Sequence, residues 1–479
     1  MDNKKDYLSA FAGIDESLIS RSEEKKGGGR RKKAVIAALC LCAVAVGAAV
    51  LLRELLPKEV TPGGTIDPGK TDVSAYVAAS PVIPKQLKAT ADYNSPEFDA
   101  YWEQNRRRLD DNRTDFDFSR FYKATAESFL SSKDGKNKIY SPANVYIALS
   151  MLASCTDGET RSQILSVLGA SSEDAARDTA MKLLRGNYVD NGSRKSFLTN
   201  SIWTGDKFTL NKENLQKISD EYYAPIMTGS ALDKKYSKAF SEWLKTATGG
   251  LLGGDDFEFL PDMAVTLASA LYFSAVWENE FSAENNKDGV FSGTAGEEKC
   301  VFLRSDGLGT YYHGEGFGAT AKSIGGGGYM LFILPDKGVS PEDIIGNDTA
   351  AGLMYDLYKN DSTHTIIHLS VPKFDISSDI NLKEGLEKLG VSDVFSGGKA
   401  DFTPISDSGL FLSEIQHSAR VAIDEKGITA AAYTIEQTAG AAPPEGEVDF
   451  TLDRPFIFAI TGDTGDVLFT GIVNRLSND

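Results

Sequence analysis

The sequence predicts an α+β fold, and three observations carry that prediction. Helical signals dominate from about residue 115 to 230, β-branched and aromatic runs dominate after residue 264, and neither an internal repeat nor a clear second domain divides the chain. The composition agrees: 41% apolar, 25% charged and 10% aromatic residues are ordinary globular material. A mainly disordered, collagenous or polytopic membrane chain is excluded. The 479 residues suffice for two to four domains or one large one. Four cysteines exclude a disulfide scaffold, and a net charge of −18 argues against a nucleic-acid-binding surface. Four histidines leave few options for metal or histidine-based catalysis.

The elements follow in chain order. Residues 1–33 carry nine Lys/Arg and six Asp/Glu and form a cytoplasmic tail. Tyr7, Leu8, Phe11, Ile14, Leu18 and Ile19 make a helical apolar stripe there, either a docking helix or a merely amphipathic tail. Ala34 to Leu52 is a run of 19 residues without a charge, preceded by Arg30, Arg31, Lys32 and Lys33. As a helix it spans about 28 Å, the thickness of a bilayer core. The basic flank stays inside, so the C-terminal part lies outside. The long leading segment favours a signal anchor over a cleaved signal peptide. Leu39 and Leu41 before the two cysteines argue against lipoprotein processing. Residues 53–114 are an extracellular linker and leading helix: prolines and glycines interrupt residues 57–91, and a Ser-Pro start opens a helix over Ser95 to Asp111.

Within the large domain, 115–479, helical spacing marks 118–130, 144–155 and 158–169, the last with Thr160 as a cap and Gly169 as a stop. Strand patterns mark 265–273, 329–334, 363–374, 418–424, 455–461 and 467–473. Catalytic signals are mostly negative. Walker A, GxSxG and HExxH patterns are absent. His364 and His368 flank Thr365, Ile366 and Ile367, which makes the segment a strand and separates the two rings by about 13 Å, too far for one metal ion. Cys155 and Cys300 could pair with each other, but each sits in an apolar run, which favours buried free thiols.

The unusual feature is C-terminal. Residues 427–449 hold one Tyr and two Ile and are otherwise small or polar. So long a connection inside a compact domain is functional or disordered. Residues 427–437 contain no proline, and the small side chains of Ala430, Ala431 and Ala432 suit a strand that enters between two others.

Four motifs then resemble the serpin family. FTLDRPFIFAI (450–460) fits its C-terminal signature, IYSPANVYIALSMLASCTDGETRSQI (139–164) its second-helix motif, SALYFSAVWENEF (269–281) a central-sheet strand, and IDEKGITAAA (423–432) the hinge of the reactive-centre loop. The resemblance runs from about residue 115 to 479. It implies three β-sheets, about nine helices and an exposed loop. It also implies suicide inhibition of serine proteases, in which an acyl-enzyme forms on the loop. The cut loop then inserts as a new central strand. A dozen inserted residues, at roughly 1 kcal/mol net per hydrogen bond plus buried side chains, yield on the order of 10–25 kcal/mol.

The family's roles fall on numbered positions here. The hinge is Glu425, Lys426, Gly427, Ile428, Thr429, Ala430, Ala431 and Ala432. The reactive bond is Ala441–Ala442, whose small residues suit an elastase-like pocket. Lys373 is expected to pair with Glu425 at the top of the sheet, beside Trp277. Ser141, Asn144, Asn200, Ser269 and His417 form a polar cluster below. Asn144 and Ser269 reverse the family's usual order, so the amide is expected to reach His417 from the helix instead of the strand. Ile428 is expected near solvent before cleavage. Period two places Glu436 on the face buried by insertion, where an unpaired carboxylate is costly. The implied partners are an elastase-like serine protease, held as a covalent acyl-enzyme complex, and the membrane through residues 34–52. A monomer is expected, without nucleic acid, cofactor or metal. The alternative is a non-inhibitory surface binding or adhesion protein on the same fold.

Overall fold

Sixteen residues that begin Pro-Glu-Phe make α1 (Pro96–Asp111), the first α-helix among the described residues, because Ser95 before them accepts from the Phe98 N–H and proline at the first turn loses no hydrogen bond. The computed structural model describes residues 74–85, 95–191, 194–248, 257–355, 357, 361–428 and 445–477. The apolar run 34–52 lies outside them. No helix among the described residues is long and apolar enough to cross a membrane.

Ten α-helices occur among the described residues. After α1 come α2 (Ser119–Leu130), α3 (Pro142–Cys155), α4 (Gly158–Leu168), α5 (Glu173–Asn187), α6 (Lys212–Tyr222) and α7 (Lys234–Ala247). Three short helices, α8 (Pro341–Ile344), α9 (Asp348–Tyr355) and α10 (Lys383–Lys388), follow late in the chain. α3 is buried almost all round, as its continuous apolar sequence requires. α4 ends on Gly169 in the left-handed conformation, as expected. Its cap is Asp157 rather than Thr160. Thr160 is buried inside the helix, where its hydroxyl accepts from the Asp401 N–H at 3.1 Å.

Two sheets form among the described residues. The first has eight strands in the order β1 (Val77–Ala79), β5 (Ile226–Gly229), β4 (Arg194–Gly205), β6 (Val265–Val276), β14 (Gly427–Ile428), β13 (Leu412–Ile423) and β12 (Phe374–Asn381), with β3 (Val189–Asp190) beside β4. The second has nine: β15 (Glu447–Thr451), β11 (Ser362–Pro372), β8 (Gly296–Gly314), β9 (Phe317–Ser323), β10 (Tyr329–Pro335), β16 (Phe456–Thr461), β17 (Val467–Val473) and β2 (Lys138–Tyr140), with β7 (Lys287–Gly293) beside β8. The 19-residue β8 pairs in turn with β7, β11 and β9. That continuity joins into one hydrogen-bonded sheet what the family resemblance counts as two.

The stretch expected as a linker is not linker throughout. Val77 pairs with Met227, so β1 forms the edge of the first sheet. The leading helix is also fastened down. Arg108 of α1 and Arg194 at the start of β4 both reach Asp463, at 2.5 and 2.8 Å. One buried guanidinium, Arg194, and one partly buried, Arg108, hold that partly buried carboxyl below its usual range despite desolvation. The main core lies between α3 and the two sheets. A second cluster, with Trp203, Tyr236, Phe240 and Phe259, packs α7 on the other face of β4 and β6. Cys155 is buried and Cys300 partly so, and both are free thiols. His364 and His368 lie on β11, as expected for a strand.

Candidate functional site

β6 and β13 are the central strands, and their sequences set where they touch. They pair in parallel from Val265 with Leu412 to Leu271 with Ala419. Beyond those residues the strands part, and β14 fills the gap, antiparallel to both: Ile428 faces Ala275 on one side and Ile423 on the other. The turn into β14 is made by Asp424, whose carboxylate accepts from the N–H groups of Lys426 and Gly427 at 2.8 and 3.0 Å. Gly427 is required by close approach: a Cβ there would lie 2.1 Å from the Ala275 carbonyl. Ile428 is 1% exposed. The expectation of a solvent-facing Ile428 is therefore corrected. Gly427 and Ile428, expected as part of the hinge, already pair as a two-residue strand within the sheet, because the parted strands offer unpaired backbone and an apolar slot. Thr429, Ala430, Ala431, Ala432, Glu436, Ala441 and Ala442 lie outside the described residues. The chain returns in β15, which pairs in parallel with β11 at the edge of the other sheet.

The expected Lys373–Glu425 pair is present, with Nζ to Oε1 at 2.5 Å. Asn286 donates to the same oxygen at 2.6 Å. The lysine bond, more than the amide, holds the Glu425 carboxyl below its ordinary range. Trp277 is buried beside it, and its indole N–H donates to the Asp424 carbonyl at 3.0 Å. Backbone N–H groups of Trp277 and Phe281 hold the Lys426 and Glu425 carbonyls, each at 2.9 Å. The Lys322 ammonium sits 4.3 Å over the Phe281 ring and 5.8 Å over Trp277. Burial pushes its amine down to about 8, with Glu278 opposing. Sequence reading missed Asn286 and Lys322, which carry no local pattern, and quoted Phe281 within a motif without giving it a role. The turn role of Asp424 was missed as well, although an aspartate three residues before a glycine is a turn signal.

The lower cluster is brought together as expected, with one change in its wiring. Ser141 caps α3 by accepting from the Asn144 N–H at 3.1 Å. Its own N–H donates to His417 Nε2 at 2.8 Å. A backbone donor on Nε2 places the ring proton on Nδ1, which lies 3.1 Å from Ser269 Oγ. Asn144 Nδ2 donates to Ser269 Oγ at 2.8 Å and to the Ala270 carbonyl at 2.9 Å, while Asn200 donates to Asn144 Oδ1 at 2.8 Å. The amide therefore comes from the helix, but Ser269 stands between it and His417. The register sets His417 beside Ser269, and the short serine leaves room for the longer side chain of Asn144. Burial holds His417 neutral, with its pKa lowered to about 3.

Comparison with known proteins agrees with this geometry. Residues 114–476 match the family profile described as Serpin (serine protease inhibitor). An uncharacterized serpin-like protein of Methanosarcina acetivorans is 26% identical over 360 residues, covering 72% of this chain and 82% of its own length. Glia-derived nexin of Mus musculus is 27% identical over 374 residues, covering 72% and 89%. Among solved structures, the native state of the thermophilic serpin tengpin superposes with a TM-score of 0.66 at 29% identity, covering 76% of this chain and 96% of that one. Tengpin in its latent state gives 0.63 at 27% identity, covering 76% and 100%.

Proposed function

Because the chain belongs to the serpin family, we propose that it is a surface-anchored suicide inhibitor of serine proteases with an elastase-like primary pocket. The observation that carries this reading is the wedge of β14 between β6 and β13. Its register can be continued by arithmetic along both neighbours. Ala430 would come between Phe273 and Val421, Ala432 between Leu271 and Ala419, Thr434 between Ser269 and His417, and Glu436 between Leu267 and Ile415. Three of these pairs are the partners that β6 and β13 already form: Leu271 with Ala419, Ser269 with His417, Leu267 with Ile415. A strand can therefore enter without either neighbour changing register. Small residues would meet the bulky ones. As the entering strand separates Ser269 from His417, the Thr434 hydroxyl would offer each a new hydrogen-bond partner.

The roles of Ala441 and Ala442 as the reactive bond, of residues 425–432 as the hinge, and of residues 34–52 as the anchor belong to the same proposal. Incubation of the protein with a panel of serine proteases tests it. A covalent band of summed mass on a denaturing gel, with a released fragment beginning at Ala442, is the expected result. Ala441→Arg should move inhibition from elastase-like to trypsin-like enzymes. Clean cleavage with free protease would replace the proposal by the non-inhibitory alternative. One observation favours that alternative: Leu267 and Ile415, the residues that would flank Glu436, are both buried and apolar.

A further inference from the structure

β15 carries the end of the loop, and its outer face is not apolar. His368 on β11 lies 2.8 Å from Asp306 of β8 through Nδ1 and 3.5 Å from Glu447 of β15 through Nε2. Its register partner on β15 is Asp449. One imidazole thus sits among carboxylates from two neighbouring strands, and only its protonated form can donate to both sides.

The position of β15 gives that contact a consequence. An uncut loop that enters the sheet to the level of Val265 places residue 438 there, about 33 Å below Ile428 at the rise of a strand. Eight residues, 439–446, then remain, and the nine steps from residue 438 to Glu447 reach at most about 32 Å, short of the climb back to the level of Ile428. Full entry without cleavage therefore requires β15 to leave β11. After cleavage it does not, because the chain ends at the cut. A bond between β11 and β15 opposes only the unproductive route.

We propose that His368, Asp306 and Glu447 form a proton-gated clasp that holds β15 on β11 and keeps the uncut loop out of the sheet. The inference rests on the inhibitor reading only in needing a loop able to enter. The charged groups facing the ring are Asp306 on β8 and Glu447 and Asp449 on β15. On its own strand the same face carries His364. Arg304, two residues before Asp306, pairs with Ser370, one step further along that face. The carboxylates, led by Asp306, raise the histidine above its ordinary value. The raised group keeps its contribution below about pH 6.5 and loses it as pH climbs through the raised value. The clasp is firm in mild acid and loose in mild alkali.

The test uses the full chain in a mild detergent, without protease. Conversion to the inserted, more heat-stable form is followed at pH 6.5 and 8.5 at constant ionic strength. The wild type should convert about two- to fivefold faster at pH 8.5, the range of a partly exposed ion pair. His368→Gln should convert near the wild type's alkaline rate and show a smaller pH ratio than the wild type, what remains being the change that Lys322, titrating near 8 at the upper cluster, makes in both proteins. An equal pH ratio in both proteins overturns the clasp. Where conversion is too slow to follow, hydrogen exchange of the 447–451 amides decides: protection, corrected for intrinsic rates, must fall with pH in the wild type alone. Equal change in both proteins overturns the proposal. Covalent trapping is scored separately, so a chain that shows the clasp and traps no protease sinks the inhibitor reading alone.

Discussion

Two polar clusters tie the same pair of strands, one where β6 and β13 touch and one where they part. In the lower cluster Asn144, Ser269, His417, Asn200 and Ser141 are all buried and uncharged, and each hydrogen bond satisfies a group that water cannot reach. In the upper cluster Lys373 and Glu425 are charged and 37% and 23% exposed. Removing a buried partner leaves its mate unsatisfied at about 1–3 kcal/mol, whereas a partly exposed ion pair is worth about 0–1 kcal/mol. On the proposed mechanism, the resistance to strand entry therefore lies at the closed lower cluster, and the charged upper cluster would orient the hinge while adding little strength.

The largest expected effect follows from that contrast. Asn144→Leu removes donors to Ser269 and Ala270 and the acceptor for Asn200. Denaturant unfolding should show a loss of about 3–5 kcal/mol. A loss below about 1 kcal/mol would place the strength of the contact elsewhere.

Next in size is an acid dependence carried by His417. Its folded pKa is about 3, against an ordinary value of about 6.5 in an unfolded chain. Between those values the unfolded chain binds the extra proton, so stability falls as pH falls. The wild type should lose about 2–3 kcal/mol between pH 7 and 4.5 beyond what His417→Gln loses. Parallel slopes in the two proteins would mean that water reaches the ring. His368 has the opposite sign, so the two histidines separate in a pH series.

The lower cluster was only partly legible in the sequence. Its members were named from motifs, but the bridging place of Ser269 depends on the register between β6 and β13, which no local pattern encodes. β4 was missed altogether. It is buried on nearly every residue, and its polar Thr199, Asn200, Ser201 and Thr204 hide the alternation that marks a strand. β8 was missed because Gly296, Gly307, Gly309 and Gly314 read as loop. The helices and the late β-branched strands were legible because each carries its own period. Ile428 shows the limit at the upper end: its burial depends on two distant strands parting, not on its neighbours.

A third prediction asks whether the two clusters share one inserted strand. If Glu436 enters between Leu267 and Ile415, its carboxylate must be neutralised. Glu436→Leu should then raise the stability of the cleaved form by on the order of 2 kcal/mol at pH 8. The gain should shrink at pH 5, where the carboxyl takes up a proton at little cost. A cleaved form indifferent to the substitution at pH 8 would place residue 436 outside the sheet.

The smallest effect belongs to the entrance itself. Glu425→Gln keeps the shape of the side chain and retains an acceptor for Asn286, while removing the charge that faces Lys373. Lys373 is more than a third exposed, so water screens most of the attraction, and the equilibrium loss should stay below about 1 kcal/mol. The rate of entry is a different quantity. The turn at Asp424–Gly427 is also held by the Trp277 indole and by two backbone N–H groups, so Glu425 fixes only its outer edge. Loosening that edge loosens the turn that leads into β14. The expected outcome is a native protein of nearly unchanged stability that traps a smaller share of the protease it meets, read as a rise in the number of inhibitor molecules consumed per enzyme inactivated. A loss of several kcal/mol with unchanged trapping would reverse the assignment and make the charged entrance, not the buried cluster below it, the part that holds the sheet.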